Sequence, residues 1–395
     1  MVVMRDDVAD ASDLRPGGTC PLCRGVSRPQ DRLAFGPKPG LPDVLLLEWC
    51  STCNFLFAIN VSACAYRSYY ASVRNDADHV VTTDRADSLV RLQTERLAEV
   101  LPAAFVGSVL DFGCGEGRLL QALARRFPAA ALYGYDVADF LPASTGIRPL
   151  RTIDDLVERF DVIVLSHVAE HLVRFDVIDT LRRLLALRGL LYLEVPNPAR
   201  YTACPRREFL YYIDRLHINH FSMRAMRRLV GRSGLEVRAT GTHRFAYRDG
   251  HYPSMYCIAS DFVPGRDEVP VEEVDEGPLD AVYLAYRADE RRRALELRSR
   301  LLAEAVSPGV LVYGGGDNFC RARGAGGPLE AVPLLAVMDR RAPSLTSRDG
   351  IRFSLPDDAL ARYPEASVVV TVSQRSAEIA AAIGERWPHR RLFFA

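Results

Sequence analysis

VLDFGCGEGRLL, residues 109–120, joins an apolar strand to the start of a helix through a turn that carries three glycines, at 113, 115 and 117. An acid, Asp111, stands two residues before the first of them. Glycine has no Cβ atom, so a turn built from it lets a ligand approach the backbone closely. The stretch therefore predicts either a ligand site or a tight turn that holds no ligand.

The glycine spacing separates two classes of cofactor. Dinucleotide-binding turns have the pattern G-x-G-x-x-G and wrap a pyrophosphate. Here the third glycine comes one residue early, and a carboxylate would repel a pyrophosphate. It suits instead an ammonium group, such as the amino-acid end of S-adenosylmethionine. We therefore predict that this cofactor contacts Asp111, Gly113, Gly115 and Gly117.

Further cofactor contacts are expected at the ends of the following strands, where ligands of open α/β sheets bind. Asp136 ends the strand in YGYDV and can accept both ribose hydroxyls, which NAD shares with S-adenosylmethionine. Asp154 is a candidate contact of the adenine edge, unless it only caps a helix. His167 and His171, in LSHVAEHL at 165–172, are predicted to lie near the transferred group, and Ser166 and His167 are candidate cofactor contacts.

The order of strand and helix patterns predicts an α/β fold. SVLDFG, ALYGYDV, FDVIVLSH and GLLYLEVPN have the pattern of strands, and helical patterns such as RLLQALARRF separate them, which indicates a parallel sheet with helices on both faces. The same alternation of strand and helix patterns begins again later in the chain, with strands predicted at GVLVYGGG, PLLAVMDRR and SVVVTVS. We predict three domains: a zinc-binding module at 1–72, a cofactor-binding domain at 73–245, and a Rossmann-like substrate domain at 246–395.

Two cysteine pairs, Cys20-Pro-Leu-Cys23 and Cys50-Ser-Thr-Cys53, predict the zinc site. Each CxxC turn offers two thiolates, and four thiolates complete a closed tetrahedral site of the structural kind. The 26 residues between the pairs exceed the usual spacing, which an inserted hairpin would accommodate. Four unrelated buried cysteines are the alternative.

Charge and hydropathy limit the partners. The 395 residues include 50 basic and 50 acidic side chains, which argues against nucleic acid or an anionic membrane as partner. No apolar run of 18 residues occurs, and the acidic N-terminal stretch lacks an apolar signal core. We therefore expect a cytoplasmic protein whose cysteines stay reduced.

These motifs resemble those of class I S-adenosylmethionine-dependent methyltransferases. The resemblance rests on DFGCGEG, the acid of YGYDV and DVIVLSHVAEHL, and covers roughly residues 85–240. The CPLC…CSTC module, its Tyr-rich end and the rear VLVYGGG unit are similar to the three-domain sugar C-methyltransferases of antibiotic biosynthesis. Membership would imply a small-molecule acceptor, namely a nucleotide-linked keto-deoxysugar.

The resemblance also implies catalytic positions. That family has Tyr-x-Glu-His followed by an aromatic residue and a serine. The matching run here is DRLHINHFS at 214–222, in which His217 is retained while Asp214 and Leu216 replace the tyrosine and the glutamate. His171 matches another active-site position, and Tyr69 or Tyr70 matches a tyrosine that the zinc module supplies.

Methylation at carbon requires a base for one proton, and imidazole suits that task because its pKa lies near neutrality. His217 is the first candidate for the base and His171 the second, while His220 and Tyr70 are candidates for orienting the acceptor. A carboxylate beside the imidazole would stabilise its protonated form, and Leu216 cannot supply one. Asp214 would have to do so from another angle.

Several alternatives stay open at this point. Oxygen methylation of another natural product needs only the base, and an RNA base methyltransferase could carry a similar cysteine module. A non-catalytic S-adenosylmethionine-binding protein and an NAD-linked oxidoreductase are further readings. In the rear unit, VLVYGGGDNFCRARG fails the dinucleotide pattern and favours a tight turn, although Arg321 and Arg323 could meet a phosphate.

Overall fold

The computed structural model describes residues 14–35, 38–72, 83–138, 146–153, 156–247, 250–261, 277–304, 309–342, 351–372 and 375–395. The chain forms two compact units, and each unit is assembled from separate segments of the sequence. The first contains the N-terminal part through Arg32 together with Pro39–Cys204 and Arg215–Tyr283. The second contains Leu33–Lys38, Pro205–Asp214 and Leu284–Ala395.

The cysteine-bearing module is built on a four-stranded sheet with the order β1-β2-β3-β9. Its strands are β1 (Arg28–Ala34), β2 (Val44–Cys50), β3 (Phe55–Ala58) and β9 (Asn219–His220). The last strand comes from far along the chain and pairs antiparallel with β3. The sheet therefore joins the N-terminal module to the segment that carries His217.

A seven-stranded sheet with the order β10-β11-β8-β7-β4-β5-β6 is the centre of the first unit. Five strands, from β8 to β6 in that order, are parallel, and β11 runs antiparallel to β8. The strands are β4 (Ser108–Phe112), β5 (Ala131–Tyr135), β6 (Arg148–Leu150), β7 (Phe160–Ser166), β8 (Leu185–Pro196), β10 (Glu236–Tyr247) and β11 (Gly250–Ser260).

Six helices start in the first unit. They are α1 (Ala63–Ser72), α2 (Thr83–Val100), α3 (Arg118–Arg126), α4 (Asp176–Leu184), α5 (Met223–Gly231) and α6 (Leu279–Glu304). Apolar side chains on α3 and α4, among them Leu120 and Leu181, are fully buried. Because β5 follows β4 on one side and β7 lies on the other, the sheet changes direction at β4, and its carboxyl edge there is the expected ligand crevice.

The side chain of Arg15 links the module to the loop after β7. Its guanidinium donates to the carbonyl of Ala58 (3.0 Å), to Asn219 Oδ1 (2.8 Å) and to the carbonyls of Leu172 (2.8 Å) and Val173 (2.7 Å). Arg15 is only 6% exposed. A buried guanidinium needs this many acceptors, so these contacts fix the loop in place.

The second unit contains a five-stranded sheet with the order β14-β13-β12-β15-β16, all parallel. Its further elements are β12 (Val310–Tyr313), α7 (Asp317–Arg323), β13 (Leu334–Met338), β14 (Phe353–Ser354), α8 (Pro356–Arg362), β15 (Val368–Val370), α9 (Ser376–Arg386) and β16 (Leu392–Phe394). The predicted fold class, with a second Rossmann-like sheet, is confirmed.

The predicted boundary at 245/246 requires correction. It falls inside the β10–β11 hairpin, and β11 pairs with β8 in the seven-stranded sheet. The segment Arg215–Tyr283 accordingly belongs to the first unit, as does most of the cysteine-bearing module. The antiparallel strands β10 and β11 have no helix between them. The alternation of strand and helix patterns in the sequence therefore did not indicate where this sheet ends.

The glycine turn after β12 is filled by the chain's own side chains. A Cβ atom on Gly315 would lie 2.5 Å from Phe353 Cε1, and one on Gly314 would lie 2.4 Å from Val372 Cγ2. Arg321 donates to the Leu210 carbonyl at 2.8 Å. Arg323 likewise donates to the carbonyls of Leu329 and Val332. The tight-turn interpretation is therefore favoured over a ligand site, and these two guanidinium groups do not fit the expected phosphate contact.

Candidate active site

The turn between β4 and α3 uses its glycines for two different purposes. Gly113 has a φ of 83°, and a Cβ there would lie 2.3 Å from Val168 Cγ2, so this glycine lets the loop after β7 pack closely. Gly115 has a φ of 50°, and a Cβ there would meet nothing within 4 Å. Gly117, with a φ of 71°, immediately precedes α3. The turn thus leaves open space beside Gly115.

Two carboxylates border this space. Asp136 accepts hydrogen bonds from the backbone N–H groups of Gly115 and Ala138, both at 2.9 Å, and burial raises its pKa. Asp111 is 5% exposed, and no described group donates a hydrogen bond to its carboxylate. Burial, with repulsion from Asp136, raises the pKa of Asp111 to about 7. A cationic ligand would relieve this unfavourable burial of charge.

The remaining predicted cofactor residues have varied positions. Asp154 lies outside the described residues. The hydroxyl of Ser166 accepts from Gln93 Nε2 (2.5 Å) and lies 3.3 Å from Glu194 Oε2. His167 has a φ of 52°, and its ring is enclosed by acidic and aromatic neighbours rather than open to the crevice. Contact of Ser166 or His167 with a cofactor stays a prediction.

The loop after β7 carries the acceptor-side histidine in a short 3-10 turn, Ala169–His171. His171 Nδ1 lies 2.8 Å from the Leu216 carbonyl and 2.8 Å from the hydroxyl of Tyr70 on α1. Because a carbonyl only accepts, Nδ1 carries the proton, and Nε2 is the basic nitrogen of the neutral ring. The structure thus brings together Tyr70 and His171, two of the candidate residues named from the sequence, and their catalytic roles stay a prediction.

His217 joins this pair, together with a glutamate that the sequence analysis did not assign. The ring centroids of His171 and His217 are 5.0 Å apart. Glu170 is 1% exposed, and one ligand atom of each of these three residues lies within 4.8 Å of the other two. Glu170 Oε1 is 3.9 Å from His171 Nε2. Glu170, His171 and His217 are named the acceptor-side triad.

A chain of buried charges extends from the triad into the sheet. His167 Nδ1 lies 3.2 Å from Glu170 Oε1, and its Nε2 lies 3.1 Å from Ser254 Oγ and 3.7 Å from Glu194 Oε1. Glu194, which is fully buried on β8, also lies 2.8 Å from His243 Nε2. One imidazole therefore lies between two buried carboxylates.

This arrangement shifts the pKa values of His167, Glu170 and Glu194. Burial alone would lower the pKa of His167, but its hydrogen bonds to Glu170 and Glu194 outweigh burial and raise the pKa to about 9. Burial alone would raise the pKa of both glutamates, and the neighbouring imidazoles outweigh it, so both pKa values lie below normal. His167 is therefore a buried imidazolium at neutral pH.

His220 occupies a different position from its predicted partners. It lies in β9, is 2% exposed, and has Nδ1 3.3 Å from the Tyr201 hydroxyl. A ring so enclosed could orient an acceptor only through other groups.

The four cysteines of the predicted metal site converge. Their sulfur atoms lie within 4.8 Å of one another, and the Cys23 and Cys50 Sγ atoms are 3.7 Å apart. The Gly25 N–H donates to Cys23 Sγ at 3.4 Å. The residues after the two pairs, Arg24 and Asn54, both have positive φ values, 59° and 51°. The two CxxC turns thus have matching shapes, and four convergent thiolates fit tetrahedral zinc.

Sequence reasoning missed Glu170 and Glu194. Glu194 stands in an apolar strand, in LLYLEVP, Glu170 stands between two histidines, in HVAEHL, and both are fully or almost fully buried. A carboxylate in an apolar strand must find a cationic or hydrogen-bonding partner, which was the available signal. The partner of Glu194, His243, lies on β10 and could not be paired with it without the sheet order.

Comparison with known proteins identifies the reaction class. Residues 84–240 match a family profile described as a methyltransferase domain. These residues form a methyltransferase domain. The match covers the span from α2 to the first residues of β10, which includes the glycine turn and the acceptor-side triad. No curated protein sequence matches the chain.

Solved structures similar to this methyltransferase include three of low sequence identity. A 1,6-didemethyltoxoflavin N1-methyltransferase from Burkholderia thailandensis is 15% identical over 52% of this chain and 95% of its own (TM-score 0.39). A magnesium protoporphyrin IX methyltransferase from Synechocystis PCC 6803 is 17% identical over 50% and 98% (TM-score 0.36). An S-adenosylmethionine-dependent methyltransferase from Mesorhizobium loti is 16% identical over 44% and 99% (TM-score 0.33).

None of the described helices is long and apolar enough to cross a membrane.

The charge on His167 predicts a pH-dependent stability. Its pKa is raised from 6.5 to about 9, so its stabilising contribution is complete below pH 6.5 and is lost as pH rises through 9. We expect the wild type to lose up to roughly 3 kcal/mol of unfolding free energy over this range relative to His167→Gln. Urea unfolding at about pH 6 and about pH 9 measures the difference. The exposed His389→Gln serves as control, and equal slopes for all three proteins would contradict the assignment.

Proposed function

We propose that the methyl donor is S-adenosylmethionine and that it binds in the crevice at the carboxyl ends of β4 and β5. The carboxylate of Asp111, which is buried and accepts no hydrogen bond from the described residues, is the observation that carries this proposal, because the ammonium group of the cofactor's amino-acid end would supply an opposite charge. The open space at Gly115 admits the ligand, and Asp136, held by two backbone donors, is available to the ribose hydroxyls. When bound, the cofactor supplies an electrophilic methyl group.

The proposed acceptor is a small molecule of specialised metabolism, of the sugar or nucleotide-sugar type, methylated at carbon. The resemblance to sugar C-methyltransferases supports this choice. The contact between Tyr70 of the cysteine-bearing module and His171 supports it as well, since that family is expected to supply a tyrosine from its module. The clustering of two imidazoles suits removal of a proton. Oxygen methylation of another natural-product intermediate is the second candidate, because it requires only one base.

The proposed base is His217, with His171 as the second choice. Either imidazole would take a proton from the carbon next to the acceptor's carbonyl, and the electron pair left on that carbon would attack the methyl group in line with the departing sulfide. The Tyr70 hydroxyl would hydrogen-bond the acceptor's oxygen, and His220 would orient the segment on which His217 lies. For a hydroxyl acceptor, the same imidazole would take the O–H proton.

The proposed zinc ion is structural. Cys20, Cys23, Cys50 and Cys53 would hold it as thiolates and complete a closed set of four ligands. No ligand position would remain for an acceptor. By ordering the module, the ion would also hold α1, and with it Tyr70, near His171.

The binding of S-adenosylhomocysteine tests the cofactor assignment. Its ammonium group binds the ionised form of Asp111, so affinity should fall as pH is lowered through about 7. Asp111→Asn should weaken binding by about 10- to 100-fold and remove this pH dependence. Isothermal titration calorimetry between about pH 5.5 and pH 8.5 measures both, with the exposed Asp358→Asn as control. Tighter binding of NAD than of S-adenosylhomocysteine would overturn the proposal.

Metal analysis tests the zinc assignment. The purified protein should contain about one zinc ion per chain, and Cys53→Ser should lose it and unfold at a lower temperature, since metal binding contributes to folding. Cys64→Ser, at an exposed cysteine, should keep both properties. Wild-type zinc content in Cys53→Ser would show that the four thiolates do not form the site.

Turnover tests the catalytic assignment. His217→Ala and His171→Ala should bind S-adenosylhomocysteine like the wild type but lose about 10²- to 10⁴-fold in methyl transfer, the usual contribution of a general base. Mass spectrometry with labelled cofactor and a panel of nucleotide sugars would detect the product, and NMR would locate the methyl group. Normal turnover in both variants would refute the role of these histidines, and a product methylated at oxygen would favour the second candidate.

A further inference from the structure

A carboxylate that could support the imidazole of His217, which Leu216 cannot supply, lies in the loop after β7. We propose that Glu170 is the positioning residue of the acceptor-side triad, and that its negative charge stabilises a proton on His171 and His217. This inference rests on the proposed function, in which one of these imidazoles takes up the acceptor's proton. Leu216 occupies the position where the resembling family has its glutamate, so here the charge would come from a different element.

The geometry directs the carboxylate at the imidazoles. Glu170 Oε1 lies 3.9 Å from His171 Nε2, the nitrogen left basic by the contact of Nδ1 with the Leu216 carbonyl. His217 offers a ring nitrogen within 4.8 Å of both. An opposite charge at about 4–6 Å favours the charged form of a titratable group by 1–3 pKa units when the pair is shielded from water. Glu170, at 1% exposure, is so shielded.

Backbone contacts hold the triad in register. The Ile218 N–H donates to the Glu170 carbonyl at 3.0 Å, so the residue after His217 is tied directly to the glutamate. Asn219 Nδ2 donates to the Ala169 carbonyl at 2.9 Å. Two segments distant in sequence thus face each other with a fixed spacing. The carboxylate of Glu170 can therefore stabilise a proton on His217, as a glutamate at position 216 would.

The surrounding charges leave Glu170 negative toward the triad. Behind it lies His167, whose other side faces Glu194, and Glu194 in turn contacts His243. Tyr70 approaches His171 from α1. The imidazolium of His167 is thus shared by two carboxylates. Glu170 Oε2 is buried and has no hydrogen-bond partner among the residues that the structure describes, so no described donor neutralises that half of the carboxylate.

Two imidazoles and a carboxylate could also bind a metal ion. A proton is favoured here, because Glu170 Oε1, the oxygen that faces His171, already accepts a hydrogen bond from His167.

Histidine NMR titration of the zinc-loaded protein tests the inference without an acceptor. The chain has only 8 histidines, so their ring signals can be assigned by single substitutions. In Glu170→Gln the titration midpoint of His171, His217 or both should move to lower pH by about one unit, while Glu170→Asp should restore most of the shift. Glu158→Gln, at an exposed carboxylate, should leave both midpoints in place.

Unchanged midpoints of both rings in a folded Glu170→Gln protein would overturn the inference. If Glu170→Gln does not fold, Glu170→Asp is titrated instead. Wild-type midpoints at both rings of that variant would overturn the inference, and a smaller shift to lower pH would support it. Signals of His171 and His217 that titrate only after Mn²⁺ or Zn²⁺ is removed by a chelator would also overturn it, in favour of a metal site. Because none of these readouts requires turnover, failure of the methyl-transfer assay leaves this test intact.

Discussion

Burial of two carboxylates behind the carboxyl edge of the seven-stranded sheet is the constraint on which the candidate site depends. Glu170 and Glu194 are removed from water, which is tolerated only because His167 lies between them and is protonated. The positive φ of His167 shows that the backbone accepts an unusual conformation to place the ring there. Since His171 follows Glu170 directly, the same constraint sets the position of the acceptor-side histidine.

The cysteine-bearing module contributes to the site through contacts that cross the chain. Strand β9 pairs with β3, and Arg15 donates to carbonyls on both sides of the junction. These bonds bring α1, with Tyr70, against the loop that carries His171. A four-cysteine cluster far from the cofactor crevice in sequence can therefore influence the chemistry by ordering this junction, without any ligand position of its own for the acceptor.

The two parallel sheets show that the same local motif can serve different ends. In both, an acid after the second strand accepts a hydrogen bond from a glycine N–H: Asp136 from Gly115 at 2.9 Å and Asp339 from Gly315 at 3.0 Å. The two motifs differ in the space beside the glycine. The position beside Gly115 is open, whereas Phe353 packs against Gly315. Asp111 adds to the first crevice a buried carboxylate that accepts no hydrogen bond from the described residues, which makes that crevice suited to a cationic ligand.

The amino-acid sequence by itself determined the α/β class, the two runs of parallel strands, the glycine turn and the convergence of four cysteines, because each depends on short-range periodicity or spacing. Only the tertiary structure decided which charges meet. Glu170 reaches His217 through the pairing of two distant loops, and Glu194 reaches His243 through the return strands of the sheet, so neither contact leaves a mark in local sequence. The role of each buried carboxylate follows from its neighbours in space, since they decide whether a charge without water is stabilised.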